Sequence, residues 1–393
     1  MTLSPARLAA LLAALAAIGP FSIDTYLPAF PAMGVALGAT QIEVQQTLTA
    51  YMVTFAMMAL WHGALSDAFG RRRVIIVSTS LFGAASLLCA LATSIEWLWI
   101  GRALQGMSAG AGMVVGRAVI RDLYDGARAQ RLMSRVMMIF GIAPAVAPIV
   151  GGALLMLAGW RSIFLFLAAF AGLLAWMSWR FLPETLPATS RQSMHPGRLL
   201  RAYGAVFGSG AFLLLALTLA FNFNGFFVFV LSAPVFVMEH LGLGPGSFGW
   251  LFVPAVSGMI GGAWLSGRVA GHWNWQRTIA TGFVVMIAAV SLNVVHAAFF
   301  VPSLPWSVLP VGIYTFGMAL AMPSLTLLAL DLFPTRRGLV SSCQSFTQVG
   351  VNAVTAGVSA PLLWASPLSL AAGASVFVAL GLLCFVVWAG RSR

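Results

Sequence analysis

The sequence predicts an all-α membrane protein, with twelve transmembrane helices arranged as two six-helix pseudo-repeats. Three observations carry that prediction. Of the 393 residues, 60% are hydrophobic and only 8% are charged, against roughly 25% charged in a soluble globular domain. The apolar residues fall into twelve runs, each long enough to cross a bilayer. The charges collect between those runs, in intervals alternately rich and poor in arginine. So few charges cannot cover the surface of a water-soluble protein, which excludes a cytosolic enzyme and a secreted domain. The apolar content excludes disorder.

In chain order the runs, spans 1 to 12, lie near 7–32, 43–66, 74–94, 96–118, 132–157, 161–182, 206–238, 247–268, 276–299, 305–331, 338–362 and 368–389. A helix needs about 20 apolar residues to cross hydrocarbon. Backbone amides find no water there, so runs of this length are helices. The first run begins like a signal peptide, with Arg7 ahead of an alanine- and leucine-rich stretch. It continues past Asp24 to Pro31 without a convincing cleavage site, and is read as the first span.

The clearest breaks are Arg71-Arg72-Arg73, the segment Arg121 to Arg131, and the stretch Pro183 to Arg201. The third is the longest polar interval and carries Pro183, Pro187 and Pro196. It separates an N-terminal six-helix half, 1–182, from a C-terminal half, 206–393, through a cytoplasmic linker, 183–205.

The formal net charge is +12, and every basic residue is arginine. All but Arg102 and Arg161 lie after even-numbered spans, at helix ends or at the termini. This asymmetry places both termini in the cytoplasm and supports an even number of spans. It reads as membrane topology, and no nucleic-acid partner is expected. Cys89, Cys343 and Cys384 sit inside apolar runs without metal-ligand spacing, so neither a disulfide framework nor a metal site is expected.

An internal repeat supports the division into halves. Span 4 ends in Asp122-Leu123-Tyr124, with Gly141 in span 5. Span 10 ends in Asp331-Leu332-Phe333, with Gly350 in span 11 at the same offset. Parallel six-helix repeats with a mid-membrane binding site between them form a known transporter architecture.

Asp24 is the one acidic residue well inside an apolar run, and Arg102 is the corresponding base in span 4. Intramembrane charges usually face a bundle interior or a watery cavity. At 1.5 Å rise per residue both lie roughly 9 to 13 Å below the outer surface, within reach of each other if spans 1 and 4 are neighbours. Burial disfavours a carboxylate and a nearby guanidinium favours it. A carboxyl balanced between those effects can load and release a proton as access alternates. The bland alternative is a structural ion pair that locks two helices.

Other polar residues are candidates to line a substrate cavity: Tyr26, Gln45, Gln46, Thr49 and Tyr51 in the first half; Asn222, Asn224, Tyr314, Gln344, Gln348 and Asn352 in the second. Gln344, Gln348 and Asn352 recur every fourth residue and share one helix face. Interhelical hydrogen bonding is the competing use for each.

Four motifs fall on particular spans. The loop after span 2 runs from Gly63 through Asp67 and Gly70 to Arg71-Arg72-Arg73; Gly63 allows close helix approach and Gly70 a tight turn. Span 4 carries Arg102-Ala-Leu-Gln105-Gly106. Span 5 carries Gly141, Pro144, Pro148, Gly151 and Gly152, a run of small and kinking residues. Span 1 ends in Asp24-Thr-Tyr26-Leu-Pro28-Ala-Phe-Pro31. Together they resemble the major facilitator superfamily over nearly the whole chain. The span 4 and span 5 segments resemble motifs B and C of its drug/proton antiporters. The end of span 1, with Arg121-Asp122-Leu123-Tyr124, is similar to the bicyclomycin/chloramphenicol-resistance (Bcr/CflA) branch. Two positions depart from the family pattern: Ala68 stands where a basic residue often follows the loop aspartate, and Ala147-Pro148 replaces a usual Gly-Pro.

The resemblance implies a monomeric, proton-coupled exporter of small drug-like compounds in the bacterial inner membrane. It implies Asp24 and Arg102 in proton coupling, Gly63, Asp67, Gly70, Arg71 and Asp122 in a cytoplasmic conformational latch, and the span 5 residues as an antiporter hinge. A carrier for one specific metabolite is the competing reading. No cofactor is implied. There is no GxxxxGK[ST] loop and no lysine, which argues against direct ATP drive, and no HExxH or GxSxG, which argues against an enzyme.

Overall fold

The computed structural model describes residues 4–124, 126–191, 196–270, 272–333 and 337–391. Its helices are α1 (Pro5–Asp24), α2 (Phe30–Leu37), α3 (Gln41–Ala59), α4 (Trp61–Phe69), α5 (Arg71–Ala90), α6 (Ile95–Ala109), α7 (Ala111–Leu123), α8 (Gly126–Ala158), α9 (Trp160–Phe181), α10 (Pro196–Phe207), α11 (Gly210–Leu231), α12 (Gly249–Val269), α13 (Trp275–Phe299), α14 (Leu309–Asp331), α15 (Arg337–Val354), α16 (Ala360–Leu362) and α17 (Pro367–Arg391). Each of the twelve apolar runs carries helix. Residues 192–195 of the polar stretch between the halves, and 334–336 after span 10, lie outside the described residues.

Local chemistry sets the ends. Thr40 and Glu43 form a reciprocal capping box at the start of α3, with Thr40 N–H donating to Glu43 Oε2 at 2.8 Å and Glu43 N–H to Thr40 Oγ1 at 3.2 Å. Asn274 caps α13 by accepting from Arg277 N–H at 2.8 Å. Gly70, with φ +96°, separates α4 from α5 in a conformation that a residue with a Cβ adopts only under strain.

Among the described residues, nine helices are long and apolar enough to cross a membrane, or ten when α3 and α4, bent by 51°, count as one broken span. The runs that fall short are spans 4 and 11. Each is interrupted. Span 4 divides at Gly110 into α6 and α7, and span 11 passes from α15 into a π-helical turn, Thr355–Ser359, before α16. Span 7 likewise ends in a π-helix, Pro234–His240.

The chain forms two compact units, Met1–Pro196 and Gly197–Arg393. In the first, α1 packs on α8, α3 on α6, and α5 on α6 and α9. In the second, α11 packs on α15, α12 on α14, and α13 on α14 and α17. In span numbers the pairs 1–5, 2–4, 3–4 and 3–6 recur as 7–11, 8–10, 9–10 and 9–12. The weak sequence echo therefore extends to these four packing pairs.

Glycine sets the closest crossings, because without a hydrophobic force between helices in lipid, association depends on close contact. A Cβ on Gly106 would overlap the Tyr51 carbonyl, and one on Gly112 the Leu15 carbonyl. One on Gly151 would overlap the backbone of Thr25. In the second unit, Gly258 and Gly262 stand in the same way against the α14 backbone.

Candidate functional site

The first unit gathers its polar residues around Arg102, which is fully buried on α6. One guanidinium nitrogen, Nη1, donates to Ser22 Oγ on α1 at 2.9 Å and to Gln105 Oε1, one turn along, at 2.6 Å. Gln105 Nε2 donates in turn to Ser86 Oγ on α5 at 2.7 Å. A single cation thus ties spans 1, 3 and 4. Its guanidinium carbon lies 4.3 Å from the centre of the Tyr26 ring and 4.4 Å from that of Tyr51. Two π faces stand beside the charge where a carboxylate would be expected, an attraction strengthened by the burial of the guanidinium. The Thr47 hydroxyl donates to Val44 O, so Tyr26 O–H donates to Thr47 Oγ1, at 3.1 Å, which fixes that ring.

Asp24, the last residue of α1, is buried, and it forms no ion pair among the described residues. Spans 1 and 4 are neighbours, as a pairing would require, but Arg102 reaches Ser22 rather than Asp24. The ion pair considered from sequence is absent from this arrangement. Gln45 and Tyr51 are also buried in this unit, and Thr49 is half-buried. The backbone of Thr25, next to Asp24, rests on Gly151. The span 5 motif is therefore the surface against which the Asp24 end of α1 packs. Pro148, Gly151 and Gly152 are buried, Gly141 and Pro144 are half-buried, and α8 continues as helix through both prolines.

The stacked arrangement makes a prediction. Arg102→Lys keeps the charge but loses the planar group that lies against two rings. Transport is expected to fall at least tenfold at matched membrane expression (about 1.4 kcal/mol), measured as initial rates in vesicles. Wild-type rates in the lysine variant would show that only the charge matters.

Of the residues expected to form a latch, Asp67, Gly70 and Asp122 gather around Arg71. This buried arginine pairs with Asp67 one turn before it, and its Nε donates to Asp122 Oδ2 at 3.1 Å. Its Nη1 also donates to Ser66 Oγ at 2.6 Å. Two residues missed in the sequence reading complete the cluster. Glu184 Oε1 accepts the Arg71 backbone N–H at 2.9 Å, and Thr185 Oγ1 donates to Asp122 Oδ2 at 2.7 Å. The cluster joins the ends of α4, α5 and α7 to the chain after α9. Gly70 lies beneath the Glu184 carboxylate, which a Cβ would strike. Gly63 does not make the close approach expected of it. An added methyl would meet only Val114 Cγ1, at an ordinary 3.9 Å; the tight crossings fall at Gly106, Gly112 and Gly151.

In the second unit the polar candidates are largely committed to helix contacts. Tyr314 O–H donates to the Asn222 carbonyl at 2.7 Å, tying α14 to α11. Asn224 Nδ2 donates to Asn352 Oδ1 and to Ala220 O, each at 2.8 Å. The Tyr314–Asn222 and Asn224–Asn352 bonds are the interhelical bonds weighed as the alternative to a cavity. Asn222 is buried, and neither of its side-chain amide atoms is hydrogen-bonded among the described residues. Gln344 Nε2 donates to Thr326 Oγ1 at 3.4 Å, and with Gln348 stays half-buried. Among the described residues, no group of three His, Cys, Asp or Glu is placed to hold a metal.

A many-spanned bundle with repeated halves, an intramembrane Arg–Tyr cluster and a charged loop after span 2 defines a secondary-transporter class. The chain belongs to the Major Facilitator Superfamily, whose family model matches residues 12–356. It is 34% identical to the MFS-type transporter YdgK of Bacillus subtilis, covering 85% of this chain and 84% of that one. It is 29% identical to multidrug resistance protein D of Escherichia coli, covering 96% and 94%. It is 30% identical to a chloramphenicol resistance protein of Pseudomonas aeruginosa, covering 78% and 72%. These likenesses agree with the bicyclomycin/chloramphenicol-resistance branch. A bacterial homologue of the human lysosomal transporter Spinster shares the fold, with a TM-score of 0.72 at 15% identity, over 98% of this chain and 96% of that one.

Proposed function

We propose that this chain is a proton-coupled exporter of small amphipathic, drug-like compounds across the bacterial inner membrane. Both termini face the cytoplasm, and a monomer works by alternating access. Residues 1–182 and 206–393 move as two bodies joined by 183–205. Asp24 carries the proton and Arg102 tunes it. The observation that carries this reading is a buried carboxyl, that of Asp24, without a cationic partner among the described residues, within the same unit as a buried cation held by neutral groups. A carboxyl so placed is stable when protonated. Release of its proton would leave an anion in low dielectric, which a shift toward Arg102 or an opening to water would relieve. Proton loss and rearrangement of span 1 are thereby linked. The resistance proteins among the relatives support the drug-like substrate class.

The test is a susceptibility panel in an efflux-deficient bacterial host, including bicyclomycin, chloramphenicol and sulfonamides. Expression of the wild-type chain is expected to raise the inhibitory concentration of at least one compound over the empty vector. Unchanged susceptibility to every compound, with the protein present in the membrane, would contradict drug export and favour a metabolite carrier.

The Arg71 cluster serves as the latch that stabilises one access state. Asp67→Asn keeps the shape and removes one of the two carboxylates on a buried guanidinium. It is expected to abolish transport while the protein still reaches the membrane at wild-type level, read by transport rates beside immunoblots. Normal transport by this variant would remove Asp67 from the latch.

A further inference from the structure

The three arginines that open α5 have separate fates. Arg71 is committed to the latch. Arg72 donates through Nη2 to the Trp179 carbonyl near the end of α9. Arg73 is exposed and makes no hydrogen bond or ion pair among the described residues, and it lines one end of a groove of about 630 Å³. The walls are mostly apolar, with Leu65 and Phe69 from α4, Val77 and Leu81 from α5, and Leu104 and Met107 from α6. From Arg73 the groove continues along α5 to Leu88. Fifteen residues of helix cover about 22 Å, more than the roughly 15 Å of hydrocarbon in one leaflet.

We propose that this groove binds one phospholipid with an anionic headgroup, its phosphate on Arg73 and an acyl chain along α5 between α4 and α6. The distribution of polarity selects this occupant. The one charge stands at the loop end of the helix, where headgroups lie, and the walls beyond it are apolar apart from Ser78 and Ser108. Ser108, on the lining, spends its hydroxyl on the carbonyls of Leu104 and Gln105. A drug-sized ligand is normally oriented by a few convergent polar groups within its pocket, and here the charged anchor is at the end, with only the small hydroxyls of Ser78 and Ser108 along the lining. A basic residue at this level attracts anionic lipid, and Arg73 is uncommitted to the protein. The groove borders the latch, since Arg73 follows Arg71 by two residues and Phe69 follows Asp67 by two. The bound lipid would therefore brace α4 against α5 at that point.

Native mass spectrometry of the full-length protein, titrated with dioleoylphosphatidylglycerol or dioleoylphosphatidylcholine, tests the proposal. The wild type is expected to retain one phosphatidylglycerol in preference to phosphatidylcholine. Arg73→Ala is expected to lower phosphatidylglycerol affinity by roughly fivefold, the worth of about one basic residue near an anionic surface, and Arg73→Lys to restore most of it. Ala84→Phe, placed at an exposed position on the lining of the groove, is expected to reduce occupancy by both lipids. Equal retention of the two lipids by the wild type, or phosphatidylglycerol binding unchanged by Arg73→Ala, would overturn the proposal. So would occupation by chloramphenicol in place of lipid that Ala84→Phe abolishes.

Discussion

Asp24→Asn is expected to return a resistant host to the susceptibility of the empty vector, at membrane expression equal to wild type. The substitution changes one atom of a buried side chain and leaves its shape. An amide cannot release a proton at any working pH, so the linkage between proton loss and movement of span 1 disappears. Folding should survive, because the wild-type carboxyl has no ion pair to lose among the described residues. Substrate binding should survive as well, leaving a protein that binds drug without pumping it. Susceptibility assays beside immunoblots check the first part, and equilibrium binding of radiolabelled drug to membranes checks the second. Resistance that persists in the variant would keep the exporter and remove Asp24 from coupling.

Gly151→Val is expected to cost most of the folded protein. The added Cβ would lie on the backbone of Thr25, and backbone cannot swing aside as a side chain can. Helices α1 and α8 would have to separate, opening the packing around Asp24. Overpacking of this kind costs about 1–3 kcal/mol and occasionally more. The expected result is a lowered melting temperature in detergent, reduced membrane yield and no measurable transport. Gly141→Ala is the control within the same motif. An added methyl there meets nothing within 4 Å, and alanine is the better helix former by up to about 1 kcal/mol. Its yield and melting temperature should match or exceed wild type. Equal damage by the two changes would show that the motif acts through helix flexibility rather than through contact with span 1.

The two substitutions also mark where sequence reading succeeds and where it stops. Asp24 and Arg102 were legible because a charge in an apolar run is conspicuous whatever it touches. The spans and the Arg71 cluster were legible for similar reasons: bilayer thickness sets run length, and loop motifs keep their spacing. What Arg102 touches was not legible. Ser22 is one small residue in an alanine-rich helix, and nothing local distinguishes it from Ser86 or Ser108. Gly151 and Gly63 read alike in sequence, yet one contacts a neighbouring backbone and the other does not. Lipid-facing and helix-facing positions are both apolar in a membrane bundle. The periodicity that orients a helix in a soluble protein is therefore weak, and side-chain partners emerge only from the packing. Glu184 escaped notice for a different reason. It lies far along the chain from Arg71, in a stretch read as linker, and only the fold returns it to the start of α5.

The central claim is that a proton carried by Asp24 drives export. Its most direct test is proton flux in proteoliposomes containing a pH-sensitive dye, with wild type and Asp24→Asn reconstituted at equal density. A substrate gained from the susceptibility panel is added across an imposed proton gradient. The account predicts substrate-dependent proton movement opposite to the substrate in the wild type and none in the variant. Substrate transport by the wild type without proton movement, or identical proton flux in the two proteins, would contradict it.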